Sequence, residues 1–99
     1  MFEIAFTARA QKKLDGLEAT PRYEGLVKQI RKSLAYLQTN PKHPSLQTHP
    51  YSSIEHPLNP KEKVFEAYAQ NRTPAAYRIF WCYGPEKKQI TIIAITSHP

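Results

Sequence analysis

Arg78 is the residue of this chain with the least packing reason to be where it is. It interrupts Ala76-Tyr77-Arg78-Ile79-Phe80-Trp81-Cys82-Tyr83, an apolar run that reads as a buried strand. A guanidinium there needs a carboxylate, solvent or an anionic ligand to take its charge. Strand alternation puts Tyr77, Ile79, Trp81 and Tyr83 on one face and Arg78, Phe80 and Cys82 on the other. If the first set packs on helices, Arg78 lies on the opposite, concave face, where it can clamp a phosphate bidentately. Glu66, on the strand expected to pair with this one, offers a cross-strand ion pair instead, and both readings stand. His98 follows a second apolar strand, Gln89-Ile90-Thr91-Ile92-Ile93-Ala94-Ile95-Thr96-Ser97. An imidazole held near a sheet edge suits general acid or base work.

Other residues can support anion chemistry. Lys61, Lys63 and Arg72 flank the strand that carries Glu66, and Lys87 and Lys88 sit in the last hairpin turn. As a set they can follow a nucleic-acid backbone; singly, each is an ordinary solvated cation. Tyr68, Tyr77 and Tyr83 can stack on bases or fill a core. All four histidines (His43, His49, His56 and His98) precede proline. The first three are spaced too widely for the tight pairs of a zinc site, so they read as polar residues of an extended segment, and no metal is expected. Cys82, among Phe80, Trp81 and Tyr83, reads as a buried thiol rather than a nucleophile. The three glycines form no phosphate-binding loop, and no zinc-protease or serine-nucleophile motif is present. No cofactor is implied.

The 99 residues suit one domain, 1–99. Fourteen Lys and Arg against eight Asp and Glu give a net charge of +6, which biases the chain toward acidic partners such as nucleic acid. The charge is spread along the chain, so any patch must be assembled by folding. A lone cysteine leaves no internal disulfide framework and fits a reducing cytoplasm. No apolar run approaches a membrane span, and Met1-Phe2-Glu3-Ile4-Ala5-Phe6 lacks the pattern of a signal peptide.

Residues 2–6 suit a short strand. Thr7 is placed to cap a helix from Ala8 to about Leu17, with Ala10, Leu14 and Leu17 inward. Thr20 and Pro21 look like the cap and first position of a second helix. Its buried stripe is Tyr23, Leu26, Val27, Ile30, Leu34 and Leu37, and Asn40-Pro41 stops it. Residues 40–60 hold five of the nine prolines and form a long loop, with a possible edge strand at 45–49. Residues 64–69 alternate as a strand, 70–75 turn, and the two strands described first follow. The expected fold is α+β: an antiparallel sheet with a two-helix hairpin packed on one face.

This order resembles the RelE/ParE superfamily, the small basic toxins of bacterial type II toxin–antitoxin systems. The resemblance is carried by Asn40-Pro41-Lys42-His43-Pro44-Ser45-Leu46 after the second helix, by Val64-Phe65-Glu66-Ala67-Tyr68 and by Tyr77-Arg78-Ile79-Phe80-Trp81. It implies a cytoplasmic, metal-independent endoribonuclease that cuts mRNA on the ribosome and is neutralised by a cognate antitoxin. In that chemistry the substrate's 2′-OH attacks the adjacent phosphate. One group takes its proton, another protonates the leaving oxygen, and cations stabilise the charge on phosphorus. The arginine of the family's Tyr-Arg strand motif, its phosphate clamp, maps onto Arg78. Where active members carry lysines on the preceding strand, this chain has Glu66 and Tyr68. Glu66 and His98 are then the expected acid–base pair, with Lys61, Lys63, Arg72 and Tyr68 as RNA contacts. The resemblance leaves two alternatives: a ParE-like gyrase inhibitor that cuts nothing, and an inactive relative that only binds a protein partner.

Overall fold

The computed structural model describes residues 1–71 and 75–97. Its elements run β1 (Glu3–Phe6), α1 (Ala8–Glu18), α2 (Glu24–Thr39), β2 (His49–Pro50), β3 (Phe65–Tyr68), β4 (Tyr77–Tyr83) and β5 (Gln89–Ser97). The five strands form one sheet in the order β1-β5-β4-β3-β2. The α+β architecture and the helical hairpin on one face are as the residue pattern indicates. One strand pair differs from an all-antiparallel sheet: β1 runs parallel to β5, with Ile4 opposite Ile90 and Phe6 opposite Ile92. No local signal reveals that pairing, because its partners lie more than eighty residues apart in the chain.

Thr7 ends β1 and starts α1 in one residue. Its hydroxyl accepts from Ala10 N at 3.2 Å and donates to Ile93 O at 2.9 Å, so the cap also ties the helix to β5. Thr7→Ala is expected to lower unfolding free energy by about 1–2 kcal/mol in urea denaturation, the upper part of the N-cap range because two bonds go with it. The second helix begins differently from its expected cap. Thr20 Oγ1 donates back to Gly16 O at 2.9 Å and caps nothing by its side chain. Pro21–Tyr23 form a turn of 3-10 helix, and α2 starts at Glu24. Asn40, extended at φ −157° and ψ 95°, ends α2 before Pro41 as the X-Pro rule requires.

The core lies between the helices and the sheet. Ala10, Leu14 and Leu17 of α1 and Ile30 and Leu37 of α2 meet Ala67, Ile79, Trp81, Ile90, Ile92 and Ile95. Tyr23, Leu26, Val27 and Leu34 pack against its margin. Tyr77, Ile79 and Trp81 therefore face the helices, and Arg78, Phe80 and Cys82 face away. Cys82 is buried, and burial pushes its thiol up, which keeps it protonated and unreactive. Gly84, at φ +99°, turns the chain from β4 toward β5, a conformation L-residues rarely adopt. Among the described residues no helix is long and apolar enough to cross a membrane.

Candidate functional site

The sheet face away from the helices is divided in two. At the Tyr83 end it is covered by the proline-rich loop between β2 and β3. Tyr51 packs on Phe80 with ring centroids 4.8 Å apart, and Ile54 sits on Val64, Cys82 and Ile93. His56 pins this loop. Its Nδ1 accepts from the backbone N–H groups of Leu58 and Asn59 at 3.1 and 3.0 Å, and its Nε2 donates to Tyr83 O at 3.3 Å. Two N–H groups aimed at Nδ1 leave the ring proton on Nε2. The other end of the face, beyond the loop, carries Arg78, Tyr68, Glu66 and His49.

Arg78 is 8% exposed. Across the strands it stands opposite Tyr68, and its guanidinium carbon lies 3.6 Å from the centre of that ring. Nη1 donates to Gln70 O at 2.8 Å and to Tyr77 O at 3.2 Å. Nε is buried without a hydrogen-bond partner among the described residues. A flat guanidinium is thus fixed on an aromatic face by stacking and by two carbonyls. The backbone around it is tied down too, since Ser33 Oγ of α2 donates to Tyr68 O at 3.0 Å.

The cross-strand pairing of Arg78 with Glu66 is corrected by the register. Glu66 stands opposite Phe80, two pairs along from Arg78 and on the same face, with the Ala67–Ile79 pair between them pointing the other way. On its other side Glu66 stands opposite His49 of β2. His49 Nε2 lies 2.7 Å from Glu66 Oε1, and the Glu66 side chain is 2% exposed against 45% for His49. His49 Nδ1 lies 2.9 Å from Gln47 O. The His49 ring also meets Tyr68 edge-on, with centroids 6.3 Å apart. Tyr68 therefore touches both Arg78 and His49.

The local chain explains why His49 reaches this place. The expected strand at 45–49 shrinks to His49–Pro50, because Pro44–Leu46 coil into a 3-10 turn. Gln47 then takes a left-handed conformation at φ 47°, which redirects the chain onto β3. Pro50 is tolerated because β2 is the sheet edge.

Of the expected site residues, the structure brings together Arg78, Tyr68 and Glu66, and it adds His49. Lys61 and Lys63 are exposed and border a hollow with His56, Phe65 and Tyr83 at the other end of β4. That end is about 17 Å from Arg78 by strand rise. Arg72 and His98 lie outside the described residues. Three other cations, Arg9, Lys12 and Lys13, line a hollow of about 690 Å³ on the helix side with Tyr77 and Thr96, near Arg78's end of the sheet. Lys13 Nζ sits 5.6 Å from the centre of the Tyr77 ring. Among the described residues no three His, Cys, Asp or Glu side chains gather as metal ligands would.

No family model matches the chain. No curated protein matches it either. Solved structures do match. A YoeB/ParE toxin from Agrobacterium tumefaciens superimposes over 99% of this chain and 100% of its own, with a TM-score of 0.69 at 10% identity. A chain of the archaeal RelE–RelB complex from Pyrococcus horikoshii OT3 covers 97% and 93%, with a TM-score of 0.64 at 12% identity. A chain of the intact RelBE toxin–antitoxin complex from E. coli covers 100% and 99%, with a TM-score of 0.64 at 14% identity. The chain has the fold found in these RelE and YoeB/ParE structures.

Proposed function

We propose that this chain is a RelE-like toxin, a ribonuclease that cuts mRNA on the ribosome and is held inactive by an antitoxin partner. One observation carries the reading: Arg78 is held flat on Tyr68, nine-tenths buried, with Nε unpartnered among the described residues, on the sheet face that the helices leave uncovered. The N–H groups of Arg78 beyond those held by the Gln70 and Tyr77 carbonyls can donate to a phosphate oxygen, which takes the charge. Arg78 then stabilises the charge that builds on the phosphoryl oxygens when the 2′-OH attacks. Tyr68 fixes the plane of the guanidinium. Proton transfer belongs at the Glu66 end of the site, with no metal required. An antitoxin partner is supported by two of the neighbours, one a RelE–RelB complex and one a RelBE toxin–antitoxin complex. A basic chain of net charge +6 favours an acidic partner.

Controlled expression with primer extension on cellular mRNA tests this reading. Cleavage within translated codons supports it. Growth arrest with intact mRNA and DNA damage points to gyrase, and an absence of toxicity points to an inactive relative that binds a protein partner. Either of those results overturns the ribonuclease reading.

Lys61 and Lys63 lie too far from Arg78 to act on the same phosphate, so they take the role of distant backbone contacts. Replacing both with alanine is expected to flatten the dependence of log K on log salt for single-stranded RNA by about 1.4, at roughly 0.7 per lost phosphate contact. The cleavage rate at saturating RNA should be unchanged.

A further inference from the structure

We propose that His49 is the general acid of this site, the group that protonates the leaving oxygen as RNA is cut. The inference rests on the ribonuclease reading above and names a residue that the resemblance does not supply, since it assigns acid–base work to Glu66 and His98.

Burial decides which member of the His49–Glu66 pair can meet a substrate. Glu66 is 1% exposed, while the imidazole beside it is nearly half exposed. The exposed ring meets RNA, and the buried carboxylate supports the ring from behind. Proton placement follows from the partners. Nδ1 faces the carbonyl oxygen of Gln47, which only accepts, so Nδ1 carries a proton. A second proton is shared between Nε2 and Glu66 Oε1 at 2.7 Å. The Nδ1 contact is exposed and spans only two residues, so a substrate oxygen can replace Gln47 O. When Nδ1 gives up its proton, the shared proton settles on Nε2 and Glu66 remains its acceptor. The buried carboxylate is never left without an N–H donor.

Position fits the role. His49 and Arg78 lie on strands either side of β3, two residues apart in register, with Tyr68 touching both side chains. Strand spacing and rise put their Cα atoms roughly 12 Å apart. Long side chains from both ends converge over Tyr68, a gap suited to one phosphodiester. In the step itself, the 2′ oxygen bonds to phosphorus and its proton passes to solvent water. The bond from phosphorus to the 5′ oxygen breaks, its electron pair goes to that oxygen, and the Nδ1 proton joins it. The products are a 2′,3′-cyclic phosphate and a 5′-hydroxyl, and His49 regains its proton from water.

The experiment uses purified protein and an mRNA bound in a translating ribosome complex. The cleaved linkage is made in two forms, one ordinary and one with sulfur replacing the bridging 5′ oxygen. A thiolate leaves without needing a proton. His49→Gln is expected to lose about 100-fold on the ordinary linkage and less than about threefold on the sulfur linkage, as loss of a general acid requires. Arg78→Ala is expected to lose on both. The sulfur substrate also reports that the His49 variant is folded. Equal losses on both linkages make His49 structural and overturn the inference, and so does an unchanged rate on ordinary RNA; both leave the ribonuclease reading standing if wild type cuts. Failure of wild type to cut either linkage removes that reading and this inference together.

Discussion

Arg78→Ala lowers the rate of ribosome-bound mRNA cleavage at least tenfold, with an expected loss of about 10²–10³, the range for removing one fixed donor from a developing oxyanion. The size follows from where the guanidinium sits. At 8% exposure its charge is little screened by water, and Tyr68 and the two carbonyls hold it in place before substrate arrives. Its stabilisation of the transition state therefore needs no rearrangement at the moment of reaction. Arg78→Lys should not restore the rate. An ammonium keeps the charge but has neither the planar fork that grips a phosphate nor the face that lies on Tyr68. Single-turnover rates at saturating ribosome complex separate this from weaker binding, and retained thermal melting of the variant excludes unfolding. An unchanged rate for Arg78→Ala would falsify the phosphate-clamp role.

Arg78 also shows what the residues alone make legible. Its face follows from alternation along Tyr77–Tyr83, because a strand period of two leaves no choice once Ile79 and Trp81 are buried against the helices. The helical hairpin is equally legible, since Ile30, Leu34 and Leu37 recur at helical spacing and Thr7 is an ordinary cap. Register is a different kind of quantity. Whether Arg78 meets Glu66 or Tyr68 depends on a shift of two residues that the apolar pattern tolerates equally well. His49 was harder still. Its strand is two residues long, contains a proline and follows a left-handed residue, so no periodic signal marks it. The available clue is the expected edge strand ending at His49, which precedes the strand that bears Glu66. The parallel β1–β5 pair was hidden because it joins the two ends of the described chain.

Trp81→Ala is expected to cost about 3–5 kcal/mol, a large part of the roughly 5–15 kcal/mol that holds a domain of this kind together. Trp81 is 1% exposed and lies at the centre of the core, its ring 4.8 Å from Phe65 and 4.9 Å from Tyr83. Alanine there removes the ring that joins β3 to β4 and leaves a cavity the surrounding isoleucines cannot fill. Trp81→Phe should behave very differently. The indole Nε1 is buried with no hydrogen-bond partner among the described residues, an arrangement that already costs the native fold about 1–3 kcal/mol. Phenylalanine removes that orphaned donor while keeping most of the stacking on Phe65. The gain offsets much of the lost volume, so the net change should stay within about 1 kcal/mol. Urea denaturation followed by far-ultraviolet circular dichroism measures both variants without relying on the tryptophan they lack. A sharply lower midpoint for alanine and a near-native one for phenylalanine is the expected pattern. A loss for phenylalanine as large as for alanine would overturn the expectation that removing the Nε1 donor offsets the lost volume.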